Sequence, residues 1–206
     1  MDESVPRPAN PLVREKLLNA GLALFHSERF NAVGIKEITD KAGVPEGSFY
    51  SYYRSKNAFA AAVLRQYWAG IVRDHASILS DESTPPVRRL VGFFEALTRD
   101  RAEQGFALGC LGGNLALELS DDNQEAREEL AAIMDRWSCL IAACLMEARS
   151  EQNVADSPEA TELASMIIES WEGAAMRGRV DRCRAPYERF LTAALPRLLG
   201  MQATST

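Results

Sequence analysis

The sequence predicts an all-α protein of about nine helices, and three observations carry that expectation. Apolar residues recur at three- and four-residue intervals through most of the chain. Pro and Gly fall where helices should begin and end, and no stretch alternates apolar with polar residues as a half-buried strand does. No internal repeat is present.

Residues 1–9 are expected to form a disordered arm. Asn10-Pro11 then opens a helix, Asn as N-cap and Pro at the first helical position, with Leu17, Ala20, Gly21, Leu24 and Phe25 as its apolar stripe through residue 28. Ile35, Ile38 and Ala42 mark a short helix capped by Gly34, with Glu37 placed to bond the free amides. Gly43 supplies the left-handed residue that stops it, and Pro45 suits the first turn of the next helix, residues 45–53. Ser55 caps a third helix with Lys56 in its first turn; Phe59, Val63, Tyr67 and Ile71 extend it to about residue 79.

Asp81 to Pro86 is a linker, and Val87, Leu90, Val91, Phe94 and Leu97 mark a helix that closes near Gly105. A glycine-interrupted stretch, residues 109–114, runs into a short helix ending near Leu119. Ser120-Asp121-Asp122-Asn123 is a turn before a long amphipathic helix from Ala126 through Leu145. Ser157-Pro158 caps the next, carrying Leu163, Ile167, Ser170, Trp171 and Ala174. Pro186 starts the last, and Pro196 should kink it or break its final turn.

A short helix, a Gly-containing turn and a second short helix form a helix-turn-helix signature, and this one crowds Phe49, Tyr50, Tyr52 and Tyr53 into five positions. Two rings suffice to anchor such a helix, which leaves hydroxyls free to face outward. The amides that open the third helix attract phosphate, and Lys56 adds a positive charge. The surface suits duplex DNA, with Gly47, Ser48, Tyr50, Tyr52, Ser55 and Lys56 expected on phosphates. Glu46, Ser51 and Tyr52 are the candidates for base contact, while Phe49 and Tyr53 anchor the helix.

Residues 12–68 resemble the DNA-binding domain of the TetR/AcrR family of bacterial transcriptional regulators, on Gly43-Val44-Pro45, Gly47-Ser48-Phe49-Tyr50, Tyr52-Tyr53 and Ser55-Lys56, with Ala20 and Phe25 upstream. Glu46 departs from the small or basic residue common there; it bears on which operator is read rather than on the fold. The resemblance implies a DNA-binding domain over 11–71 and an effector-binding and dimerisation domain over 72–206.

The net charge of −6 is unevenly spread: residues 1–57 hold eight Lys or Arg against seven Asp or Glu, a balance of +1 that leaves −7 for the remainder. All four lysines lie in that first segment, so the cationic character a DNA reader needs is local. The acidic N-terminus is no secretory signal and no apolar run approaches the ~18–20 residues a bilayer requires, so a cytoplasmic protein without membrane contact is expected. Four cysteines without a CxxC pair, and His26 and His75 distant in sequence, predict reduced thiols, no metal and no cofactor.

In the C-terminal half, Met166, Ile167, Ser170, Ala174, Phe190, Ala194 and Leu198 offer more apolar surface than one neighbour covers, and are expected to pair with their copies in a homodimer. Plain intramolecular core is the competing reading. Cys110 and Asn114 lie near a helix start whose amides favour a thiolate, so Cys110 is either a reactive sensor or a small packed hydrophobe. The pattern Gly-Cys-Leu-x-Gly-Asn-Leu with Trp171-Glu172-Gly173-Ala174 and Arg177 resembles the family branch of NemR- and AcuR-like regulators, which respond to reactive electrophiles or acrylate-type compounds. Trp171, Glu172 and Arg177 either line a pocket, Arg177 gripping a carboxylate, or are core and surface pairs. Cys139, Cys144 and Cys183 are read as packing residues.

The expected function is therefore a repressor released from a palindromic double-stranded DNA operator by a small-molecule or electrophile effector. A constitutive dimeric DNA-binding or adaptor protein is the alternative. An enzyme using Cys110 as nucleophile would need a base, and neither histidine lies in the same segment.

Overall fold

The computed structural model describes residues 10–119, 123–151 and 158–201. The N-terminal arm, the turn residues Ser120 to Asp122 and the cap Ser157 lie outside them. Every element among the described residues is helical: α1 Pro11–Ser27, α2 Ile35–Ala42, α3 Glu46–Phe49, α4 Lys56–Leu79, α5 Pro86–Glu103, α6 Leu111–Ala116, α7 Gln124–Ser150, α8 Ala160–Asp181 and α9 Ala185–Arg189, then a π-helical turn Phe190–Ala194 and α10 Leu195–Leu198.

The contacts divide the chain into two compact units. One runs through Tyr67 and takes in Asn114–Leu130; the other comprises Trp68–Gly113 and the residues from Ala131 onward. The first is thus discontinuous, and the division falls between Tyr67 and Trp68 inside α4.

In the first unit α1 packs on α2 and α2 on α3. Asn10 caps α1 by accepting from the Leu12 amide at 3.0 Å. The core is an aromatic cluster: Phe59 stands 4.8 Å from Tyr53, 5.2 Å from Phe49 and 5.8 Å from Phe25 between ring centroids. Gly21 makes the seat for it, since a methyl group there would lie 2.4 Å from the Phe59 ring. Asn31 ties residues 114–130 into the unit, its amide donating to Glu118 Oε2 at 3.0 Å and its side chain to the Glu118 carbonyl at 3.1 Å.

The second unit centres on Trp171, whose ring lies 5.2 Å from Phe94, 5.2 Å from Tyr187 and 5.4 Å from Phe190. Each such side chain contributes about 1.5–3 kcal/mol on burial. Buried Arg89 closes the α4–α5 connection, donating to the carbonyls of Leu79 (3.0 Å) and Thr84 (2.9 Å) and pairing with Glu147 at 2.5 Å. The α8 cap is Glu159, whose carboxylate accepts from the Thr161 and Glu162 amides. Pro196 has no N–H to give the helix, and the strain is absorbed one turn earlier: Leu195 N–H reaches back to Phe190, making the π turn.

Candidate nucleic-acid interface and buried cluster

The α2–turn–α3 geometry follows from its punctuation. The Gly34 amide donates to Glu37 at 2.5 Å, and Gly43, at φ 65°, ends α2 while the Val44 amide returns to the Thr39 carbonyl at 3.0 Å. Pro45 sits at the N-cap of α3 rather than in its first turn, and α3 is a single turn, Glu46–Phe49, followed by turn residues to Tyr52. The expected helix over 45–53 is therefore shorter.

This geometry sorts the aromatic run. Phe49 is fully buried and Tyr53 nearly so, against Phe59. Glu46, Gly47, Tyr50 and Ser51 are exposed, with Ser48 half-buried beside them. Tyr52 is half-buried, and its hydroxyl accepts from the Asn10 amide at 2.8 Å and donates to the Asn10 carbonyl at 3.1 Å. It fixes the start of α1. Ser55 caps α4 as expected, accepting from the Ala58 amide at 3.1 Å.

Lys56 is not the open charge the sequence suggests. Its ammonium lies 4.3 Å from the centre of the Phe30 ring, and burial draws its pKa down against the pull of Glu118 and Glu37. The exposed cation beside it, missed in the sequence reading, is Arg54, which pairs with Glu125 at 2.6 Å.

The second unit gathers different chemistry. Cys110 is buried just before α6, and burial followed by the charge of Glu172 pushes its thiol up to about 12, with Arg101 and the Gly113 amide opposing. Of the two readings the sequence leaves open, burial favours the packed thiol over the thiolate, because a six-residue helix start does not offset such desolvation. The stem of Glu172 is partly exposed, but its Oε1 is buried without a hydrogen-bond partner. Burial raises its pKa, opposed by a hydrogen bond from Cys110 and by Arg101. Gly113 leaves room for this carboxylate, since a methyl group there would stand 2.5 Å from Glu172 Oε2. Burial also pushes Tyr187 up to about 12, Arg101 again opposing.

The cluster is thus Arg101, Cys110, Glu172 and Tyr187. Arg101 was legible in principle, because it continues the buried stripe Leu90, Phe94, Leu97 of α5. Arg177 does not join: it is exposed and its Nε donates to Asp181 at 2.7 Å. Six residues along a helix from Trp171 it points elsewhere. Trp171 is core, 1% exposed. Asn114 is half-buried on α6 and falls in the first unit.

Met166, Met176 and Val180 of α8 are exposed, and a groove between α8 and the C-terminal helices is lined by Ser170, Gly173, Ala174 and Ala194 together with Arg177, Arg189, Arg197 and Phe190. Leu198 is half-buried on α10. Ile167 and Phe190 are covered mostly by their own chain, at 0% and 2% exposure, although Phe190 also lines the groove. Cys144 is buried and donates to the Pro86 carbonyl at 3.2 Å, whereas Cys139 is exposed and Cys183 half-buried, so the packing role expected of the three fits Cys144 best. No described helix is long and apolar enough to cross a membrane, and no metal-holding group of His, Cys, Asp or Glu occurs among the described residues.

Known proteins share this architecture. The family profile "Bacterial regulatory proteins, tetR family" matches residues 17–63, and "Tetracyclin repressor-like, C-terminal domain" matches residues 86–194. The HTH-type transcriptional repressor DhaR of Mycobacterium sp. (strain GP1) is 35% identical over 91% of this chain and 92% of its own length. The crystal structure of a regulatory protein TetR from Rhodobacter sphaeroides has TM-score 0.82 and 31% identity, covering 91% of this chain and 98% of that one. The reduced form of Escherichia coli NemR has TM-score 0.79 and 26% identity, over 93% and 100%.

Proposed function

This chain belongs to the TetR family of bacterial transcriptional regulators, and we propose that it is a homodimeric repressor released from a palindromic operator by an effector reaching its buried cluster. The observation that carries the reading is the sorting of the α3 region, with Phe49 and Tyr53 inward and Glu46, Gly47, Tyr50 and Ser51 outward. Tyr50 and Ser51 face the major groove, Glu46 selects against or for particular bases, and Ser48, Ser55 and Lys56 add phosphate contacts. Tyr52 acts by holding the end of α1. Two copies joined through the outer face of α8 and α10, around Met166, Ser170, Ala174, Ala194 and Leu198 with Gly173, Met176 and Val180, set the half-site spacing.

The effector acts at Arg101, Cys110, Glu172 and Tyr187. A ligand that satisfies the orphan oxygen of Glu172 favours a second conformation of the body, and α4, which runs through both units, carries the change to the head. Switching occupancy from nearly full to nearly empty requires a preference of ~5.5 kcal/mol for that conformation. A covalent variant has its own support, the hydrogen bond from Cys110 to Glu172. Addition of the sulfur to an electrophilic alkene would form an S–C bond as the C=C π bond opens; the thiol proton passes to this carboxylate, whose raised pKa suits it to receive one, and from it to the carbon that takes up the π electron pair.

The test is a mobility shift on DNA upstream of the protein's own gene, with and without small carboxylates and N-ethylmaleimide. Operator binding is expected in its absence and release in the presence of one class. Cys110→Ser should keep operator binding and abolish only maleimide release; release that persists in this variant removes the covalent route.

A further inference from the structure

Arg54 lies between the buried ring of Tyr53 and Ser55, the cap of α4, so it stands at the edge of the reading face. Its side chain is 79% exposed and its guanidinium is 2.6 Å from Glu125, in the first turn of α7, whose side chain is 40% exposed. Both residues belong to the same compact unit. We infer that Arg54 is a backbone-phosphate contact of the DNA interface and that Glu125 is an internal competitor for it. The inference rests on the DNA-binding reading above.

Exposed ion pairs are weak and screened by salt, so a polyanion presenting several phosphates can take Arg54 from a single carboxylate. The N-terminal end of the 24-residue α4, the positive end of its dipole, favours an anion at the same place. Release costs Glu125 little, because its carboxylate stays at the N-terminus of α7 and in a groove that Arg14 and Arg65 also line. Lys56, by contrast, is partly withdrawn over Phe30, which leaves Arg54 as the more available of the two cations. The arrangement holds DNA affinity below the maximum the head could reach.

The experiment measures binding of a labelled random-sequence duplex by anisotropy across ~50–200 mM salt for the full chain, Arg54→Ala, Glu125→Gln and the double variant. Arg54→Ala should weaken binding and flatten the log–log salt slope by about 0.9. Glu125→Gln should tighten binding about two- to fivefold, and should change nothing once Arg54 is gone. Equal tightening in both backgrounds would mean that only a negative charge was removed, and would overturn the inference, as would an unchanged slope in Arg54→Ala. If the unaltered chain binds no duplex even at the lowest salt, the DNA-binding reading itself fails and the inference with it.

Discussion

Among the described residues, the first unit buries Leu17, Phe25, Ile38, Phe49 and Phe59 and buries no Lys, Arg, Asp or Glu. The second buries Arg89, Arg101, Cys110 and Cys144, and with them an oxygen of Glu172 that has no hydrogen-bond partner. The head keeps its ionic chemistry outside, where a duplex can meet it. The body keeps a share inside, where water is excluded and a small molecule or a proton changes the balance. The head's buried polar groups are His26, Thr39, Asn123 and the Tyr53 hydroxyl, which also lacks a hydrogen-bond partner; the body's unsatisfied carboxylate is the costlier group to leave unpaired, and it gives that unit a reason to prefer another packing.

The largest expected effects are on packing, one in each unit. Trp171→Ala should cost about 3–5 kcal/mol in denaturant unfolding, because three rings lose their common neighbour. Gly21→Ala in the head should cost about 1–3 kcal/mol, since the added methyl lands on Phe59; a neutral result would show that this core can shift.

The next prediction separates the units. Burial raises the pKa of Glu172 in the folded chain, so the native state holds that proton more tightly than the unfolded one. Its contribution is present below the ordinary carboxylate pKa of ~4.5 and is lost as pH rises through the raised value. Glu172→Gln should flatten this fall and raise stability at neutral pH, by on the order of 1–3 kcal/mol. A pH profile identical to that of the unaltered chain would remove the buried carboxylate from the account. Smallest is Lys36→Ala, which breaks the exposed pair with Asp40 at 2.5 Å and should leave the denaturation midpoint unchanged within error.

The contrast also explains what could be read from the sequence. Helix starts and stops at Asn10-Pro11, Gly43 and Ser55 were legible because capping is local chemistry. Phe49 and Tyr53 were placed inward correctly, since four rings on a short segment cannot all be buried. The cover that Ile167 and Phe190 find mostly in their own chain was not legible, because an apolar residue on an amphipathic face does not say whose side chains will cover it. The bond from Tyr52 to the backbone of Asn10 was not legible, because that partner lies 42 residues away. The inclusion of residues 114–130 in the head depends on pairings such as Asn31–Glu118 and Arg54–Glu125, which no local pattern announces. Arg101 alone carried a usable signal, a charge on an otherwise apolar stripe.

The most direct measurement compares Tyr50→Ala with Glu172→Gln for affinity toward the protein's own upstream duplex, without effector. Tyr50 lies on the exposed face and Glu172 reaches the buried cluster, so the first should lose about tenfold or more and the second should bind as the unaltered chain does. Unchanged binding by Tyr50→Ala, with a comparable loss in Glu172→Gln, would contradict the division between an outward-facing reader and an inward-facing sensor.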